Sequence, residues 1–170
     1  IVKDEKILDE LKLWNNSLGT IGAPFDSYQT LRGLRTLELR VGRAQENAEA
    51  VVEFLNSHEK VAKVYYPGLQ SHKGHEIAAR QQEGFGAMLS FELKDDKAPE
   101  FVKALNVFCL AQSLGGTESL INHPASMTHV SMGAEARAEA GVTDALLRLS
   151  IGIEHIDDLI EDLGQALDAI

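Results

Sequence analysis

The stretch AMLSFEL, residues 87–93, alternates without a break. Ala87, Leu89, Phe91 and Leu93 fall on one side of an extended chain, and Met88, Ser90 and Glu92 on the other. Successive side chains of a strand point to opposite faces, so this period of two predicts a strand with one face in a core. A second strand is predicted at LLRLSI (146–151), where Leu147, Leu149 and Ile151 supply the apolar face. Shorter runs, VAKVYYPG (61–68) and VFCL (107–110), read as a strand closed by Pro67-Gly68 and as a buried strand.

Around these strands the period changes to that of helices. DEKILDELKLW (4–14) places Ile7, Leu8, Leu11 and Trp14 at helical spacing behind acidic residues suited to a helix start. NNSLGTIGAP (15–24) reads as loop. A long helical region follows, with Asp26 or Ser27 as N-cap and Tyr28, Leu31, Leu34, Ala44, Ala48, Val51, Val52 and Leu55 on one face. Gly33 and Gly42 weaken it, and a break is placed near Arg40–Gly42. Short helices are predicted at 75–82, 98–105 and 134–140, and residues 113–133 read as loop. The last helix, HIDDLIEDLGQALDAI, carries an apolar stripe opposite Asp157, Asp158, Glu161 and Asp162, which read as a solvated face. Mixed strands and helices, with connections that allow antiparallel pairing, predict an α+β fold, a long helical region followed by a small sheet covered by helices.

With 170 residues, 44% hydrophobic and 25% charged, the chain can bury a real core and is not a disordered tail. The net charge of −10 argues against nucleic-acid or membrane-surface partners, which present phosphates. A lone cysteine, Cys109, cannot form an intrachain disulfide and points to the cytoplasm. The six histidines include His72 and His75, and His123 and His129, but no recognised zinc spacing, so no metal site is expected. Ser113 lacks the GxSxG frame of a nucleophile, although SLGG could turn backbone N–H groups toward an anion. Arg32, Arg35, Arg40 and Arg43 read as partners of neighbouring acids, or as an anion or subunit contact.

Arg148 carries more information. It stands in the middle of an apolar strand, on the face shared with Leu146 and Ser150. An unpaired charge there is costly, so the guanidinium must meet a fixed anion, and its fork matches a carboxylate in bidentate fashion. That anion is either an internal Asp or Glu or a ligand.

Four blocks in order, FDSYQTLRGLRTLELR (25–40), GHEIAARQQEGFGAMLSFEL (74–93), SLGGTESLINHPASMTH (113–129) and GVTDALLRLSIGIEHIDDL (141–159), resemble the pyridoxal-phosphate enzymes of cysteine and methionine metabolism. Within that family the nearest likeness is to the γ-synthases. The resemblance implies the C-terminal part of a fold-type-I enzyme that replaces the acyl group of an O-acylhomoserine with cysteine, in methionine biosynthesis. The γ-lyases, acting on cystathionine or methionine, are the alternative, and a non-catalytic interaction domain is a reading of another class. Pyridoxal 5'-phosphate is the implied cofactor, bound mainly by an N-terminal domain that this chain lacks. The Schiff-base lysine is expected upstream of Ile1, so no catalytic or cofactor-binding residue is assigned here. The implied partners are that N-terminal domain, further copies in a homotetramer, and small amino-acid substrates.

The resemblance also assigns residues. Arg148 matches the arginine that holds the substrate α-carboxylate, and Ser113 the serine of the SLGG loop beside it. Asn16 corresponds to a position that approaches a neighbouring subunit's active site. Gln112 departs from the pattern, because glutamate is typical there, and an acid that would contact substrate amines is absent.

Overall fold

The computed structural model describes residues 1–170 as two compact units, Ile1–Glu38 and Leu39–Ile170. In the first unit, helix α1 spans Glu5–Leu18. The Asp4 carboxylate caps it, accepting from the N–H groups of Lys6 at 2.9 Å and Ile7 at 3.1 Å. Its other end is closed by Gly19 in the left-handed region, φ 66°, a conformation glycine adopts at little steric cost. The helix thus runs through Asn15 and Asn16, against the loop expected over 15–24; the stop is Gly19, not the asparagine pair. Helix α2, Pro24–Leu34, begins with proline in its first turn, so its N-cap is Ala23 rather than Asp26 or Ser27.

Helix α3 spans Leu37–Ser57, and the interruption between it and α2 falls at Arg35–Thr36, not near Gly42. Gly33 sits in the last turn of α2, and its carbonyl accepts the Thr36 N–H at 3.4 Å. Gly42 stays helical and exposed. From Leu39 onward α3 belongs to the second unit, where it buries Ala44, Asn47, Ala48, Val51, Val52 and Leu55.

The second unit is built on five strands: β1 (Val61–Tyr65), β2 (Met88–Leu93), β3 (Cys109–Leu110), β4 (Leu120–Asn122) and β5 (Leu146–Ser150). Their order is β1-β2-β5-β4-β3, antiparallel except for the parallel pair β3/β4. The α+β class read from the sequence holds. Helices α4 (His75–Gln81), α5 (Ala98–Ala104), α6 (Ala134–Glu139) and α7 (Ile156–Asp168) complete the unit. One sheet face carries Val64, Leu89, Phe91, Ile121, Leu147 and Leu149, joined in the core by Val51 and Leu55 of α3, Phe101 of α5 and Leu159, Leu163 and Leu167 of α7.

Three expectations need correction. The segment 107–110 is not a buried strand: Phe108 is buried, but Cys109 and Leu110 are exposed on a two-residue edge strand. Strand β4 lies inside the segment read as loop, and its three buried residues are too few to show alternation. Asp162 is not on a solvated face. It is 4% exposed, and its carboxylate accepts from the N–H groups of Asn106 at 2.8 Å, Val107 at 2.8 Å and Phe108 at 3.1 Å.

Candidate functional site

The antiparallel register aligns the residues of the second sheet face in rows. Arg148 of β5 lies between Ser90 of β2 and Asn122 of β4, and Ser90 is paired in turn with Tyr65 of β1. One pair along, Ser150 is flanked by Met88 and Leu120. Because side chains alternate along a strand, Arg148 and Ser150 rise from the same face. Above them runs the segment 112–116, which joins β3 to β4.

Arg148 is half-buried, and its Nη2 donates to two main-chain carbonyls, Gln112 O at 2.9 Å and Ser113 O at 3.3 Å. Its Nε is buried and has no hydrogen-bond partner. No acidic side chain forms an ion pair with the guanidinium. Of the two anions left open above, the internal carboxylate is therefore not there. A buried donor on a cation without an acceptor carries a desolvation cost that a bound anion would remove.

The SLGG loop is arranged differently from an anion nest. Gly115 takes φ +75°, and its N–H donates to the buried Ser150 hydroxyl at 2.8 Å, so that amide is not open to a ligand. Further along, Ile153 N–H donates to Thr117 O at 2.9 Å and Gly152 N–H to Ser119 Oγ at 2.9 Å. Glu154 accepts from the Ser119 N–H at 2.6 Å and the Ser119 hydroxyl at 2.8 Å. Asn47 of α3 donates to the carbonyls of Gly152, at 3.1 Å, and Glu154, at 2.9 Å. A Cβ at Gly152 would collide with the Thr117 carbonyl, so the two segments meet backbone to backbone.

Beside Arg148 a cavity of about 230 Å³ is lined by Tyr65, Pro67, His72, Met88 and Ser90. The Tyr65 hydroxyl donates to Glu92 Oε1 at 2.8 Å. Burial and then the Glu92 carboxylate hold this phenol above its usual range, while Lys63, 4.5 Å from the ring centre, opposes the rise. A larger cavity, about 500 Å³, lies elsewhere, against Glu49, Glu53, Tyr66, Leu69 and Phe85. No three His, Cys, Asp or Glu side chains are placed to hold a metal ion.

Arg148, Gln112 and Ser113 thus come together in the second unit, although Gln112 and Ser113 meet Arg148 through carbonyls rather than side chains. Asn16 is exposed on α1 and belongs to the first unit. The sequence places Ser150 on the face of Arg148 but assigns it no role; Ser119, Glu154 and Asn47 go unassigned because their contacts depend on chain-distant pairings.

The site is thus a central-strand arginine with an unpartnered donor, set beneath a glycine-bearing loop in an α+β sheet. The family model for Cys/Met metabolism PLP-dependent enzymes matches residues 1–168, and the chain belongs to that family. It is 54% identical to the cystathionine gamma-synthase of Escherichia coli over 99% of this chain and 44% of the relative. It is 48% identical to the cystathionine gamma-lyase of Dictyostelium discoideum over 97% of this chain and 43% of the relative. A crystal structure of cystathionine gamma synthase from Xanthomonas oryzae pv. oryzae, in complex with aminoacrylate and cysteine, superposes with a TM-score of 0.89 at 56% identity, covering 99% of this chain and 44% of that one. The fold is that of the fold-type-I pyridoxal-phosphate enzymes. The chain spans less than half the length of the relatives it matches.

Proposed function

We propose that this chain is the C-terminal part of a transsulfuration enzyme of the γ-synthase type, with residues 1–57 as arm and linking helix and 58–170 as the C-terminal domain. The reading rests on one observation: Arg148, central in the sheet, has a buried Nε without an acceptor and no acidic partner. A substrate α-carboxylate supplies the missing anion at the accessible part of the guanidinium, while the carbonyls of Gln112 and Ser113 hold its plane in place. Holding the carboxylate fixes the α-carbon relative to the reacting centre. Pyridoxal 5'-phosphate, held mainly by residues outside this chain, supplies an electron sink for the bond changes at the α-, β- and γ-carbons. Ser113 borders the carboxylate, Gln112 stands where an acid would contact the substrate amine, and Asn16 faces a site in a neighbouring subunit of a cytoplasmic homotetramer.

The γ-synthase reading is favoured over the γ-lyase one by the higher identity to the Escherichia coli synthase. The test is product analysis of the full-length protein given an O-acylhomoserine and cysteine. Cystathionine as the main product supports the reading. Ammonia and a 2-oxo acid as the main products, at a rate indifferent to cysteine, overturn it in favour of a lyase.

A further inference from the structure

We infer that Ser150 is a positioning residue for the substrate carboxylate, acting through the 112–115 loop on Arg148. The inference rests on the reading of Arg148 as a carboxylate clamp. Between Ala111 and Thr117, the hydrogen bonds that tie the loop to the sheet are made with two side chains only: Arg148, which donates to the carbonyls of Gln112 and Ser113, and Ser150, which accepts from Gly115. Both side chains rise from one face of β5, two residues apart, so they fasten the tip of the loop at neighbouring points. Ser150 is 2% exposed, so water does not compete for its hydroxyl. The left-handed turn at Gly115 aims the N–H down at that hydroxyl, at 2.8 Å.

The consequence runs through the carbonyls. They are the only protein acceptors that fix the guanidinium, so their position sets the plane in which it meets a carboxylate. Without the Ser150 acceptor, the Gly115 N–H loses its protein partner and the loop tip is held by Arg148 alone. The anchors at Thr117 and Ser119 hold the base of the loop and do not replace it. The site then becomes looser by fractions of an ångström, enough to lower the affinity for a bidentate ligand.

The test uses the full-length protein with Ser150→Ala, Ser150→Cys and Ser150→Thr, alone and combined with Arg148→Ala. Cysteine fills the space with a poor acceptor. Threonine keeps the hydroxyl, and its methyl has room in the cavity of about 180 Å³ that Ser150 lines with Met88 and Leu114. Ser150→Ala and Ser150→Cys are expected to raise KM for the amino-acid substrate about tenfold with kcat changed less than threefold, and Ser150→Thr to restore it. Hydrogen exchange of a peptide covering 111–117 should speed up in the first two and not in the third. Added to Arg148→Ala, Ser150→Ala should cost no further loss, because both act on one contact. A Ser150→Ala effect that multiplies with that of Arg148→Ala overturns the inference. So does an unchanged KM, or a failure of both Ala and Cys variants to fold. The two readings separate cleanly. Arg148→Ala with unchanged KM removes the clamp itself and this inference with it; a raised KM there beside a silent Ser150→Ala removes the inference alone.

Discussion

Arg148 illustrates how a single residue can be placed by strand parity and left undecided by it. The period of two sets its guanidinium on the face opposite Leu147 and Leu149, but the partner could be named only from the folded chain, where carbonyls rather than a carboxylate receive it. Removing it should therefore hurt binding more than folding. Arg148→Ala in the full-length protein is expected to cost about 2–4 kcal/mol in kcat/KM, and Arg148→Lys to recover part of that, because lysine keeps the charge without the fork. Thermal melts should show the fold intact. An Arg148→Ala protein that unfolds while its surviving fraction keeps a normal KM would make the residue structural.

Tyr66 gives a prediction in pH. It is 2% exposed, and its hydroxyl donates to Gly86 O at 2.9 Å. Burial, with a smaller push from Glu49, raises its pKa from 10.0 to about 12. The unfolded chain thus loses this proton near pH 10 while the folded chain keeps it, so stability is full below pH 10 and falls as pH rises toward 12. The loss amounts to about 2 kcal/mol by the linkage relation. Chemical denaturation of wild type and Tyr66→Phe between pH 9 and pH 12 should give a steeper decline in the wild type. Parallel curves would show that this phenol ionises alike in both states.

At the scale of elements, legibility followed the length and regularity of the pattern. Strand β2 and helix α7 were readable because six or more residues repeat one period, and burial enforces it. Strand β4 was not, because three consecutive buried residues carry no period, and its place between β5 and β3 is set by chain-distant pairing. The end of α1 was misread because Asn15 and Asn16 resemble a loop, whereas the backbone waits for Gly19 to turn left-handed. Asp162 was misread for a related reason: helical parity puts it beside exposed acids, but the 106–108 segment covers it and supplies three N–H donors. Those donors make Asp162 the pin between α7 and the entry to β3. Asp162→Ala leaves them unsatisfied and should destabilise the protein by about 3 kcal/mol, and Asp162→Asn by roughly half of that. Urea midpoints decide the matter; a change under about 0.5 kcal/mol for Asp162→Ala would mean that water replaces the carboxylate.

At the scale of the whole molecule, the two units differ in how much they bury. The second has a continuous core, whereas no residue of the first 38 is buried, and Trp14, Ile21, Phe25, Tyr28 and Leu31 are each at least half exposed. Exposed apolar surface of this extent is characteristic of an interaction face, and in water it favours association. Its place in a chain that matches 44% of a longer relative agrees with that. The 170-residue chain prepared alone should therefore bind a hydrophobic dye and self-associate in light scattering, while the full-length protein does neither. It should also fail to capture the cofactor: incubation with pyridoxal phosphate, borohydride reduction and intact mass should reveal no stoichiometric adduct, because no lysine lines the cavity beside Arg148. A monodisperse, dye-silent chain would show that the first unit covers its own apolar side chains. A stoichiometric adduct, lost on changing one lysine, would place cofactor attachment within these 170 residues and reverse the division of labour argued for Arg148.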